Sequence, residues 1–135
     1  MRTIKFRGKK QNGEWVYGSL LSFSGVNDSI YYQVKKGREE RIEYAYVHPR
    51  TVGQFTGLLD KNGKEIYEGD IIGCHHPEIK HLIFYNEKQG RFMAALNGDI
   101  ENDFIGVCGI DDRRWMASKE VIGNVHDNPE LLNSL

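Results

Sequence analysis

The 135-residue chain has only two cysteines, Cys74 and Cys108, and only three prolines. Two thiols are too few for a disulfide framework, so they read as reduced side chains of a cytosolic protein. No apolar run approaches the roughly 20 residues that a membrane-crossing helix needs. The opening Met1-Arg2-Thr3-Ile4-Lys5-Phe6-Arg7 alternates in charge and lacks the apolar stretch of a secretory signal. There is no GxGxxG, no P-loop lysine motif, no GxSxG and no CxxC pair. No long helical period appears either. These absences argue against a disulfide scaffold, a helical membrane protein, a mononucleotide-binding loop and a serine hydrolase.

What is present is turn chemistry and aromatic strands. The chain carries 15 glycines, seven tyrosines and six phenylalanines, and turn signals recur roughly every 8–15 residues. Such spacing predicts an all-β to β-dominated α+β protein. Ile4 and Phe6 alternate with Lys5 and Arg7, which predicts a strand with one wet face. Asn12-Gly13 is a strong hairpin signal, and Glu14–Leu21 is the return strand. Ile30, Tyr32 and Val34 alternate with Tyr31, Gln33 and Lys35. Ile42, Tyr44 and Tyr46 form one face of a fourth strand. Residues 1–50 therefore read as an antiparallel meander lobe.

His48-Pro49 marks a boundary. Residues 51–135 read as a second, barrel-like lobe, unless 1–135 is one continuous domain. Its predicted strands are 51–56, 71–74, 81–85, 91–96 and 120–125, with 104–110 a strand or loop and 111–118 ambiguous, where a short helix would fit. Asn128-Pro129-Glu130-Leu131-Leu132 predicts a capped final helical turn, with Asn128 or Asp127 as N-cap. Thr51-Val52-Gly53-Gln54-Phe55 echoes Val121-Ile122-Gly123-Asn124-Val125, which suggests related places in one barrel-like lobe.

Charge divides the chain unevenly. Residues 1–50 hold 10 Lys/Arg against 5 Asp/Glu, whereas residues 51–135 hold 8 against 14. The asymmetry fits attraction within one monomer or between protomers of a homo-oligomer, or a basic face for an anionic partner. Arg2, Lys5, Arg7 and Lys9 flank Phe6. Lys35, Lys36, Arg38 and Arg41 lie near Tyr31 and Tyr44. Bases could stack on these rings while the cations track phosphate. Against this, the whole chain is slightly acidic, and a sheet tyrosine usually faces a core.

Catalytic and metal constellations are weak. Cys74-His75-His76 with His81 and Cys108 offers soft and imidazole ligands, but surface histidines beside a half-buried thiol explain it as well. Cys108 with His48, His81 or His126 lacks an identifiable orienting group. Asp99, Glu101, Asp103, Asp111 and Asp112 match no carboxylate spacing for a hydrolase or nuclease. Glu65, Glu68 and Asp70 could hold a hard cation, yet turn and surface roles account for them. The expectation is no catalytic residue, no metal and no cofactor.

Three segments, in order and at spacings that span nearly the whole chain, carry a resemblance. The first is Ile4-Lys5-Phe6-Arg7-Gly8-Lys9 with Gly13-Glu14-Trp15-Val16-Tyr17-Gly18. The second runs from Thr51-Val52-Gly53-Gln54-Phe55-Thr56-Gly57-Leu58 into Asp60-Lys61-Asn62-Gly63-Lys64-Glu65-Ile66-Tyr67-Glu68-Gly69-Asp70-Ile71-Ile72. The third is Glu120-Val121-Ile122-Gly123-Asn124-Val125-His126-Asp127-Asn128-Pro129 with Glu130-Leu131-Leu132. Together they resemble the YopX-like family of phage and prophage proteins. The resemblance implies a β-rich fold, a phage origin and a bacterial cytoplasmic setting, and it carries over no catalytic residues. Its signature positions Gly57, Asp60, Asn62, Gly63, Glu68, Gly69, Asp70, Gly123, Asn124 and Pro129 read as structural. The expected function is a non-enzymatic accessory module that binds a host or phage protein. The alternative is a nucleic-acid-binding module using Arg2, Lys5, Arg7 and Lys9, and a metal-dependent enzyme ranks third.

Overall fold

The structure, a computed structural model, describes residues 3–24, 27–102, 104–106 and 115–132. Contacts divide the chain into two compact units, Met1–Phe55 and Thr56–Leu135. Both are built from antiparallel strands.

The first unit is the expected meander. Strands β1 (Phe6–Lys9), β2 (Trp15–Leu21), β3 (Asp28–Lys36) and β4 (Glu39–Val47) pair in sequence, each with the next. Local turns suffice to set this order. The Asn12-Gly13 connection closes through Gly13 N–H to the Lys10 carbonyl at 2.9 Å, with Gly13 at φ 89°. A short 3-10 turn, Pro49–Thr51, follows. The chain then enters β5 (Gly53–Leu59), whose first residues pair with β1 (Phe6 opposite Gln54, Arg7 opposite Gly53). β1 begins two residues later than the sequence suggests, so Ile4 is exposed and not part of a core face.

In the second unit the later part of β5 neighbours β6 (Glu65–Tyr67), a strand that the sequence shows only as a turn-rich stretch. Beyond it lies a five-stranded sheet in the order β10-β9-β8-β7-β11. These strands are Phe104–Gly106, Arg91–Leu96, Lys80–Asn86, Asp70–Gly73 and Glu120–Asn124, respectively. The sheet is open, not the barrel-like lobe expected. β10 pairs only with β9, and β11 only with β7, among the described residues. The core gathers Leu58, Ile66, Ile72, Ile83, Ala94 and Met116, with Phe92, Trp115 and Val121 packed against it. β9 supplies a continuous apolar run in which the consecutive Met93, Ala94 and Ala95 are all buried, as in a strand covered on both faces.

Residues 115–117 form one helical turn, and Pro129–Leu132 form the expected final helical turn, as a 3-10 turn. The two echoing segments belong to different units. Gly53 faces Arg7 of β1, whereas Gly123 sits beside a register shift of β11 against β7. They do not occupy equivalent positions in one barrel.

Candidate functional site

The signature positions are occupied with holding turns together. Asp60 is buried at the start of the Asn62-Gly63 turn. One of its carboxylate oxygens accepts the Asn62 and Lys64 amides at 2.8 and 2.9 Å. The other accepts the Val121 amide of β11 at 3.0 Å. Burial works against the charged form, but the Val121, Lys64 and Asn62 amides and the Lys64 charge outweigh it and hold the carboxyl below its ordinary value. Asn62 reaches Glu120 at 3.3 Å, and the Lys61 amide bonds the Lys119 carbonyl at 2.9 Å. The hairpin tip is thus tied to the entry of β11.

Gly63 has φ 79° with open space where a Cβ would stand, so it is required by backbone conformation alone. Gly57 and Gly69 also lie at positive φ. Asp70 is almost fully buried and accepts the Tyr67 amide at 2.7 Å. Glu68 is half-buried in that same turn.

The last signature segment works by close approach. A Cβ on Gly123 would meet Asn128 Oδ1 at 2.6 Å and Leu131 Cδ1 at 3.0 Å. Asn124 accepts the His126 and Asp127 amides through Oδ1, at 3.0 and 2.9 Å. The Asn128 side chain turns back to the Asn124 amide at 3.2 Å, and Pro129 opens the 3-10 turn.

Catalytic and metal candidates do not assemble among the described residues. No group of three His, Cys, Asp or Glu side chains is placed to hold an ion there. β7 ends at Gly73, and His75 and His76 are both exposed in the following loop. Cys74 is half-buried and accepts the His76 amide at 3.4 Å. His81 meets the Trp115 ring edge-on at 4.9 Å. Cys108, Asp103, Asp111 and Asp112 lie outside the described residues.

The basic N-terminal residues are not the open strip expected. Arg2 lies outside the described residues. Arg7 is only 5% exposed, with its guanidinium carbon 4.6 Å from the Trp15 ring centroid. Lys9 reaches the same ring at 5.8 Å, and Lys5 lies over Phe55 at 5.5 Å. Alternation does put Lys5, Arg7 and Lys9 on one face. That face carries aromatic rings, on which a flat, weakly hydrated guanidinium stacks well.

The same face continues into the most open feature of the first unit. Register places Arg7 opposite Tyr17, Ser19 opposite Tyr31, Tyr31 opposite Tyr44, Ser29 opposite Tyr46 and Gln33 opposite Ile42. Opposed residues of antiparallel strands share a face. Tyr17, Ile42, Tyr44 and Tyr46 are respectively 47, 66, 52 and 58% exposed. The Tyr31 and Tyr44 rings stack at 5.2 Å with planes 25° apart, and Tyr46 meets Tyr44 edge-on at 5.6 Å. Coulombic interaction and a hydrogen bond with the neighbouring Tyr44 raise the Tyr46 hydroxyl above its ordinary value. Tyr17, Ser19, Tyr31, Gln33 and Ile42 border an open depression of about 440 Å³. The alternation Ile42/Tyr44/Tyr46 is legible in the sequence. Its exposure is not, because period two says that a face exists without saying whether it is covered.

The family described as YopX protein matches residues 5–133 of the chain. No curated protein matches it. Among solved structures, the crystal structure of protein EF1440 from Enterococcus faecalis is similar, with 25% identity and a TM-score of 0.60. The likeness covers 98% of this chain and 99% of that one.

Proposed function

The chain belongs to the YopX protein family, and on that premise we propose a non-enzymatic binding module that engages a macromolecule through the tyrosine face of its first unit. The phage or prophage accessory role, in a bacterial cytoplasm, is part of the same reading. The observation that carries it is the contiguous exposed set Tyr17, Ile42, Tyr44 and Tyr46 on a paired sheet surface. Large aromatic side chains left in water forfeit burial free energy, and a contiguous patch of them is characteristic of an interaction surface. Tyrosine suits this use because it offers a wide apolar ring and a polar tip with few rotatable bonds. Among the described residues no helix is long and apolar enough to cross a membrane.

The test is affinity capture from a bacterial extract, without nuclease, with wild type and the double variant Ile42→Ser/Tyr44→Ser side by side. The proposal expects captured molecules that the variant loses while keeping its thermal midpoint. Identical captures from both proteins would remove this face from consideration.

A further inference from the structure

Resting on that reading, we infer that the ligand of the tyrosine face is a single-stranded nucleic acid, stacked on Tyr17, Tyr44 and Tyr46 with its phosphates drawn to the β3–β4 hairpin. Two independent features of the first unit point to this ligand. The first is ring geometry. The face presents several half-exposed aromatic rings in succession, and Tyr31 is already stacked on Tyr44 in a near-parallel arrangement. A base can extend such a stack regardless of its identity, since every base has a π-face. Apart from Ile42, the outward residues bordering the depression are tyrosines and the polar Ser19 and Gln33; the Ser19 hydroxyl can hydrogen-bond a base edge, while the Gln33 amide donates to Glu40 at 3.2 Å.

The second feature is charge. The first unit holds 10 Lys/Arg against 5 Asp/Glu. At the β3–β4 hairpin, Lys35 and Arg41 are engaged with Glu40 and Glu43 at 3.5 and 2.8 Å. Arg38 stands exposed in the turn at its tip, whereas alternation turns Lys36 to the opposite face, where it lies across from the exposed Glu39. Tyr44 lies five residues into β4 from Glu39, roughly 17 Å at 3.4 Å each, and Arg38 stands in the turn just before that strand. A polyanion lying along β4 would therefore meet the rings first, then the paired Lys35 and Glu40, and then Arg38 at the turn. Its phosphates would sit at this far hairpin and not at Arg7, which Trp15 covers.

The test is fluorescence anisotropy of the full chain with a labelled 20-mer oligothymidylate, the matching oligouridylate and a duplex of equal length, titrated from low ionic strength upward. The single strands should bind, and the duplex more weakly, since its bases are unavailable for stacking. Tyr44→Ala and Tyr17→Ala should each weaken binding about tenfold, the lower part of what one stacked base contributes. Arg38→Glu should flatten the log–log salt slope by about 0.7, the share of one phosphate that is no longer neutralised. Tyr85→Ala, on an exposed ring of the second unit, should leave binding unchanged. Absence of binding at the lowest ionic strength overturns the inference, as does equal affinity for duplex or indifference to both tyrosine variants. If capture from extract survives nuclease treatment yet still depends on Ile42 and Tyr44, the face stands and its ligand is a protein.

Discussion

The two units spend their aromatic and apolar residues differently. In the second, Ile66, Ile72, Ile83, Ala94 and Met116 are fully covered, and the signature carboxylates Asp60 and Asp70 are sunk into turns. In the first, only Ile30, Val47 and Phe55 are buried apolar side chains among the described residues, while the sheet leaves a row of rings in water. The family signature is concentrated where the fold needs particular backbone conformations and buried acceptors. The open surface lies in the unit whose strands follow from simple local turns. A motif specific enough to identify a family can therefore be almost entirely structural, and the working surface can lie elsewhere.

The largest expected effect tests whether the second unit is the stability reservoir. Ile72→Ala removes a side chain with no exposed area from the centre of that core. It should cost about 2–5 kcal/mol, the transfer term plus the cavity left behind. Urea denaturation would measure this. A loss under about 1 kcal/mol would mean that the core collapses around the gap and that the contrast between the units is overstated.

Asp60 sharpens the same comparison at a polar site. Asp60→Asn keeps the shape but replaces a charged acceptor of three amides, so a loss of about 2 kcal/mol is expected near neutral pH. Its carboxyl is held below its ordinary value in the folded chain. The stabilisation is therefore complete above the unfolded value of about 3.9 and disappears as pH falls through the folded one. The stability gap between wild type and Asp60→Asn should close only below about pH 4. Denaturation midpoints across an acid series would check it, and a gap that is constant with pH would separate the effect from ionisation.

The parts of this fold that are legible in the sequence share a physical character. Asn12-Gly13 and Asn62-Gly63 announce their turns because positive φ needs particular residues. The β1–β4 order follows because each strand pairs with the next. The obscure parts depend on partners distant in sequence. Asp60 meets Val121 across 61 positions, and nothing in a local reading predicts that meeting. Arg7 reads as a wet-face cation by alternation, yet Trp15 across the β1–β2 pair covers it. β6 is three residues long and crowded by turns, too short for its period to register. Of the proposed binding face, Arg38, Tyr31 and Tyr44 are visible in the sequence as a cation near rings. The exposure of Tyr17, Ile42 and Tyr46 is not, since covering is a property of the assembled sheet.

The smallest expected effect is the most diagnostic for the first unit. If the tyrosine face serves binding and not folding, Tyr44→Ala should change stability by no more than about 0.5 kcal/mol. What it removes is one half-exposed ring, its stack on Tyr31 and its edge contact with Tyr46. Cross-strand aromatic pairs contribute a few tenths of a kcal/mol to about 1, and here much of the ring surface is already in water, so little hydrophobic free energy is at stake. Chemical denaturation beside Ile72→Ala in the same buffer gives the comparison directly. A Tyr44→Ala loss of about 2 kcal/mol or more would place that ring among the residues that hold the first unit together. The exposed row would then be a structural aromatic ladder, and the contrast between a stabilising unit and a binding unit would fail at the residue chosen to represent it.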